Sequence, residues 1–281
     1  MTKFFKGWAK PGPEAPGATQ SDHPDLQPRD CETLDALSGE FRIFQLSGGH
    51  RFSTDDLLAA WYGTTWCPSA ARVLDLGSGI GSVGMIAAWR LQGARFVTVE
   101  AQDISVVLAK RSASFNGLND RYDIRHGDFR DPGVLAPEDK FDLILGSPPY
   151  FALTDGVLGD HPQKIACRFE TRGTVAAYCE VAARHLNSGG VFACVFPVSP
   201  DTQRERVVSA ARDAGLKIVR SRDVCLREGD VPLLGLFAMT RADHLPPSFQ
   251  TWTEPVLTIR TRTGAVHPEY QAVKLAIGFP P

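Results

Sequence analysis

The sequence contains no run approaching the roughly 18 uncharged apolar residues that a membrane-spanning helix requires, so no membrane partner is expected. Its opening stretch, MTKFFKGWAKPGPEAPGA, has lysines but no apolar segment behind them. That argues against a secretory leader and for a soluble, cytoplasmic protein. The six cysteines, Cys31, Cys67, Cys167, Cys179, Cys194 and Cys225, include no C-x-x-C pair. Such scatter excludes a zinc ribbon or a disulfide framework; reduced, mostly buried thiols and no metal site are expected instead. Nothing repeats at a fixed period, which excludes a solenoid or a propeller.

What is present is an ordinary globular mixture: 281 residues, 43% hydrophobic and 22% charged. Neither sign of charge dominates, with 32 acids against 30 bases, but the two are unevenly spread. Residues 161–281 carry 15 bases and 11 acids, whereas the first 160 positions are net negative. The basic second part permits a polyanionic partner such as a nucleic acid without requiring one.

Residues 10–30 hold five prolines and two glycines with few apolar side chains, and read as a flexible arm or a draped extension. Order is expected from the alternating stretch Phe41–Leu46, a strand or hairpin arm, followed by a helix over Thr54–Tyr62 capped by Ser53 or Thr54. From Arg72 onward, short apolar strands alternate with helices. Strands are expected over 73–76, 96–100, 122–128, 141–147, 191–197, 216–226 and 233–240, with a helix over 178–186 before the fifth and Gly189-Gly190 just past its end. The pattern predicts one doubly wound α/β domain, roughly 70–245, built on a mostly parallel seven-stranded sheet.

The first strand-turn-helix reads Val73-Leu74-Asp75-Leu76-Gly77-Ser78-Gly79-Ile80-Gly81. Glycines here let a ligand approach the backbone at the carboxyl end of the first strand, where open α/β sheets bind ligands. Two cofactor classes compete. Gly79-Ile-Gly81-Ser-Val-Gly84 satisfies the dinucleotide pattern, and Glu100 stands 21 residues beyond Gly79, where a ribose-binding acid is found. Asp75 favours the other class, because a carboxylate just before the glycines repels a pyrophosphate and welcomes a cation.

After the fourth strand comes Ser147-Pro148-Pro149-Tyr150-Phe151. Two prolines fix φ and contribute no N–H, so they end the strand on a rigid carbonyl, with an aromatic pair beside it. A polar acceptor and a carbonyl can together take both hydrogens of a planar amine, while an aromatic ring stacks on its plane.

The order acidic residue, G-x-G-x-G, second-strand acid resembles the Rossmann-like class I methyltransferases, whose donor S-adenosylmethionine carries a sulfonium and an ammonium but no phosphate. The Ser-Pro-Pro-Tyr run is similar to the (Asn/Asp/Ser)-Pro-Pro-(Tyr/Phe) motif of the members that methylate amines. The stretches Gly49–Trp61, His161–Glu170, Leu257–Arg260 and Glu269-Tyr270 further resemble the bacterial valine-tRNA adenine-N6 methyltransferases. The expected organisation is a flexible or draped arm at 1–40, which lies outside the resemblance, a lead-in hairpin or helix over the cofactor site at 41–70, and a methyltransferase domain with its tail at 71–281. The resemblance implies that Asp75, Gly77 and Gly79, with Thr54 or Asp55, meet the methionine portion of the cofactor, that Glu100 binds the ribose and that Asp128 meets the adenine. Ser147, Pro148 and Tyr150 would then hold the target amine, Pro149 and Phe151 would flank it, and Lys164 and Arg168, on a loop, would contact phosphates of a tRNA or other nucleic acid.

Asparagine is usual in those tRNA enzymes at the position of Ser147. A protein glutamine amide, another nucleobase or a small molecule therefore stays open as substrate. So do a non-catalytic RNA-binding module that kept the fold and, from the glycines alone, a nicotinamide oxidoreductase.

Overall fold

The computed structural model describes residues 4–20, 23–152, 154 and 161–281. Residues 1–3 and 21–22 of the expected arm lie outside them. Within the described residues, no helix is long and apolar enough to cross a membrane.

A short hairpin, β1 (Phe4–Phe5) and β2 (Trp8–Ala9), precedes an antiparallel pair, β3 (Glu32–Ala36) and β4 (Arg42–Leu46). Helix α1 (Thr54–Trp66) follows. The chain then alternates through β5 (Arg72–Leu76), α2 (Ser82–Arg90), β6 (Arg95–Glu100), α3 (Asp103–Phe115), β7 (Tyr122–His126) and β8 (Phe141–Gly146). Helices α4 (Pro162–Arg168) and α5 (Val175–His185), strand β9 (Leu186–Pro197), helix α6 (Asp201–Asp213) and strands β10 (Leu216–Arg227) and β11 (Leu234–Arg241) continue it. The chain closes with β12 (Trp252–Arg260) and α7 (Pro268–Ala276).

The central sheet has eight strands in the order β12-β10-β11-β9-β8-β5-β6-β7, and every neighbouring pair is parallel except those made by β11. Apolar side chains fill both faces. Leu58, Val73, Ile86, Leu143 and Leu145 belong to one fully covered layer and Leu74, Ile144, Phe192 and Phe237 to the other. Such double coverage is why β5 and β8 read as unbroken apolar runs rather than alternating ones.

The strand count corrects the expectation of seven. The eighth, β12, runs through TWTEPVLTIR, whose Pro255 breaks the sequence pattern of a strand. It is tolerated because β12 lies at the sheet edge and shifts register against β10 between Arg222 and Val224, so the missing N–H costs no central hydrogen bond. A second correction concerns Gly189-Gly190. Helix α5 already ends at His185, and the two glycines sit inside β9, where the ladder to β8 jumps from Phe141↔Leu186 to Leu143↔Val191. They build a bulge rather than a helix end.

Residues before β3 pack on the helical layer. Ala15 and Leu26 are buried, and Gly39 N donates to Gly278 O near the end of the chain at 2.7 Å. Arg111 of α3 is the anchor: it donates to Asp25 O and Gln27 O, pairs with Glu32 at 2.6 Å and lies over the Phe44 ring at 4.2 Å.

Candidate active site

The carboxyl ends of β5, β6 and β8 meet the N-terminus of α1 and the helix α4 around a cavity of about 820 Å³. The turn after β5 is shaped by three left-handed glycines, Gly77 at φ 61°, Gly79 at φ 55° and Gly81 at φ 90°, the first two facing the cavity. A Cβ on Gly77 would stand 2.2 Å from Tyr178 Oη, whereas one on Gly79 would meet nothing within 4 Å. The first glycine is therefore needed for packing and the second leaves backbone bare toward open space, as a close-fitting ligand requires. The Ser78 hydroxyl between them is buried with no partner among the described residues.

Besides Asp128, four carboxylates line the same cavity. Asp75 Oδ2 accepts from Gly84 N at 2.9 Å; Glu100 accepts from Gly79 N at 2.8 Å through one oxygen and from Gln102 N at 2.7 Å through the other. Asp56 closes a capping box with Ser53 at the start of α1, and Asp55 accepts from Tyr150 Oη at 2.7 Å. Burial pushes Asp75 well above the usual carboxylate range and raises Asp55, Asp56 and Glu100 as well, and the negative charges of Asp56 and Glu100 add to the shift on Asp75. None of the four is ion-paired among the described residues. Concentrated, unneutralised carboxylates of this kind suit a cationic ligand and disfavour a pyrophosphate.

This arrangement carries a pH signature. Because the folded-state pKa of Asp75 lies above the unfolded one, the native state holds the extra proton. The contribution to stability is full below about pH 4 and is lost as pH rises through the folded pKa. Asp75→Asn keeps an acceptor for Gly84 N without the charge, so its melting temperature is expected to gain on wild type as pH rises above about 4, the unfolded-state value. A pH-independent difference in thermal melts would contradict this.

Beside the glycine turn, on the neighbouring strand, Ser147-Pro148-Pro149-Tyr150-Phe151 leaves the end of β8 and is held from behind. Tyr150 N and Phe151 N donate to Arg168 O at 3.2 and 3.1 Å, and Glu170 N donates to Phe151 O at 2.9 Å. Arg206 of α6 ion-pairs with Glu170 and donates to Tyr150 O. The Tyr150 ring packs edge-on against Phe196, 5.9 Å between centroids at 86°.

The segment matched by a known family model, described as "Methyltransferase small domain", runs over residues 56–205, from the second residue after Thr54 through β9 and into α6. The chain belongs to that methyltransferase family. A tRNA1(Val) (adenine(37)-N6)-methyltransferase of Tolumonas auensis is 30% identical over 72% of this chain and 81% of its own length. One of the same name from Bacteroides thetaiotaomicron is 28% identical over 72% of this chain and 81% of its own length. Among solved structures, a predicted O-methyltransferase of Agrobacterium tumefaciens superposes with a TM-score of 0.59 at 18% identity. It covers 81% of this chain and 98% of that one, and so shares the fold.

Every residue singled out in this methyltransferase from sequence lines the one cavity: Thr54, Asp55, Asp75, Gly77, Gly79, Glu100, Asp128, Ser147, Pro148, Pro149, Tyr150, Phe151, Lys164 and Arg168. Two local environments differ from expectation. Lys164 and Arg168 stand on a helix, not a loop: Pro162 opens α4 and His161 caps it, and the spacing of four puts both cations on one face. Asp128 is already engaged, since Arg130 donates to it from its backbone and its guanidinium and holds its carboxyl below the usual range.

Sequence reasoning missed Asp56, Ser78, Cys167 and Tyr178, which also line the cavity. The Ser53-x-x-Asp56 capping pattern was legible and pointed to Asp56 as a fixed carboxylate. Tyr178 had no local signal, because α5 brings it under Gly77 from 101 positions away. The Cys167 thiol is pushed up to about 12 by burial, so it is not a nucleophile at neutral pH.

Proposed function

We propose that the protein transfers a methyl group from S-adenosylmethionine to the exocyclic N6 amine of an adenine in tRNA. The observation that carries this reading is a single cavity lined both by cation-attracting carboxylates with a bare glycine turn and by the Ser147–Pro148 corner. The names of the two relatives support the choice of adenine and tRNA.

The cavity residues fit the cofactor. The free space at Gly79 and the unpartnered Ser78 hydroxyl would accept it, with Asp75, Thr54 and Asp55 toward its charged methionine end. Each Glu100 oxygen keeps a lone pair beyond its backbone bond, enough to receive ribose hydroxyls. Asp128 would meet the adenine, and residues 41–70 would form the wall over the site. When bound, the cofactor supplies an electrophilic methyl group on a sulfonium.

The protein's own task is to prepare the amine. An aromatic amine is a poor nucleophile because its lone pair is delocalised into the ring. Two acceptors, Ser147 Oγ and the Pro148 carbonyl, favour a pyramidal nitrogen and stabilise the positive charge that develops on it. Tyr150, with Pro149 and Phe151, would bound the base plane, and holding the two reactants together supplies the rest as proximity. A stacked or paired adenine must first be flipped out, at a cost of a few kcal/mol. Cations of the cavity wall can offset it: the side chains of Lys164 and Arg168 line the cavity and form no ion pair among the described residues.

Transfer of tritium from labelled cofactor to total tRNA tests the reading: the counts are expected to vanish on ribonuclease treatment, and counts retained in protein would refute it. Reversing both charges, Lys164→Glu with Arg168→Glu, is expected to weaken tRNA binding and to reduce the slope of log K against log salt by about 1–2. Binding that keeps its affinity and slope would remove α4 from the RNA surface.

A further inference from the structure

Helix α4 lines the cavity with Lys164, Ala166, Cys167 and Arg168, but Gln163 beside them does not reach it. That side chain is 2% exposed, and its carboxamide is fully used. Gln163 Oε1 accepts from His50 N at 2.9 Å, and Nε2 donates to Ser105 Oγ at 3.0 Å. The orientation is fixed, because a backbone N–H can only donate and so must face the oxygen. Gly49 leaves the room: a Cβ there would stand 2.2 Å from Gln163 Oε1.

Both partners belong to the segments that carry the proposed cofactor residues. His50 leads into α1, which opens with Thr54 and Asp55, and Ser105 stands in the first turn of α3, just after Glu100. The far end of α4 holds the amine corner instead. Arg168 O accepts from Tyr150 N at 3.2 Å and from Phe151 N at 3.1 Å. Between the two ends the helix is continuous, with Ile165 N donating to His161 O and Phe169 N to Ile165 O. Seven helical residues make a strut about 10 Å long. Gln163 is its foot. A weaker tie from Gln102 Nε2 to Cys167 Sγ, at 3.7 Å, lies further along.

We propose that Gln163 is a positioning residue for methyl transfer: through α4 it sets the Ser147–Pro148 corner against the cofactor wall without touching either reactant. The inference rests on the amine-methylating reading of the site and adds the device that holds its two halves in register. Reacting atoms must meet at about 3–3.5 Å, and a displacement of about 1 Å can cost on the order of a hundredfold in rate. An apolar side chain of equal length would fill the space of Gln163, but both directional bonds would be lost and the foot of the strut would be free to shift.

The test is Gln163→Met and Ser105→Ala, singly and together, read by single-turnover methylation of tRNA at saturating tRNA and cofactor, below the melting temperature of each variant. Gln163→Met is expected to lower the saturated rate at least tenfold, with cofactor affinity within threefold. Ser105→Ala, also outside the cavity, is expected to lower it at least threefold, and to cost nothing further once residue 163 is methionine. Gln163→Glu decides the matter even where methionine unfolds the protein. Its protonated carboxyl can accept from His50 N and donate to Ser105 Oγ, and burial favours that form, so its rate relative to wild type is expected to rise as pH falls from about 8 to 6. A wild-type rate in Gln163→Met, losses that multiply in the double variant, or a flat pH ratio overturn the inference while leaving the amine reading intact. A wild-type protein that transfers no methyl group to RNA overturns that reading, and the inference with it.

Discussion

Replacing Ser147 with alanine is expected to lower kcat for tRNA methylation by about 10²–10³-fold, the usual cost of removing one preorganised group aimed at developing transition-state charge. Alanine fits the space, so the backbone ties from Arg168 and Arg206 to the following residues remain and the protein still folds. The cofactor residues stand on other elements, the ends of β5 and β6 and the start of α1, and none is hydrogen-bonded to Ser147, so cofactor affinity is expected to stay within about twofold of wild type. Loss in kcat without loss in cofactor binding would mark Ser147 as acting on the amine in the transition state. A kcat within threefold of wild type would mean that the Pro148 carbonyl alone orients the amine.

The second large effect is on stability. Arg111→Ala is expected to cost about 3–5 kcal/mol, the range for removing one partner of a buried ion pair. The Arg111 side chain is 8% exposed and that of Glu32 6%, so solvent screens neither. Alanine would leave Glu32 buried without its counter-charge and would also strand Asp25 O and Gln27 O and expose the Phe44 face. Urea denaturation reads the difference directly; a loss below 1 kcal/mol would mean that residues 23–36 contribute little to the folded state.

These two sites differ in how far the sequence reveals them. Asp75, the glycines, Glu100 and the Ser-Pro-Pro-Tyr run each sit within a few residues of a strand end, and a doubly wound sheet brings its strand ends to one rim. Local spelling plus that single rule therefore gathers the site. The Arg111–Glu32 pair joins residues 79 apart through a segment rich in proline and glycine, and no periodicity announces it. Edge strand β12 was hidden by Pro255, which only its edge position excuses. Helix α4 was hidden by being seven residues long, too short for an apolar period to show. The hydrogen bond from Tyr150 to Asp55 spans 95 positions, and although each residue was singled out alone, nothing in the sequence says that their side chains touch.

The most direct measurement is mass spectrometry of nucleosides from tRNA incubated with the protein and methyl-labelled S-adenosylmethionine. The account predicts labelled N6-methyladenosine. Label found only on cytidine, only on protein glutamine, or on no nucleoside at all would contradict it.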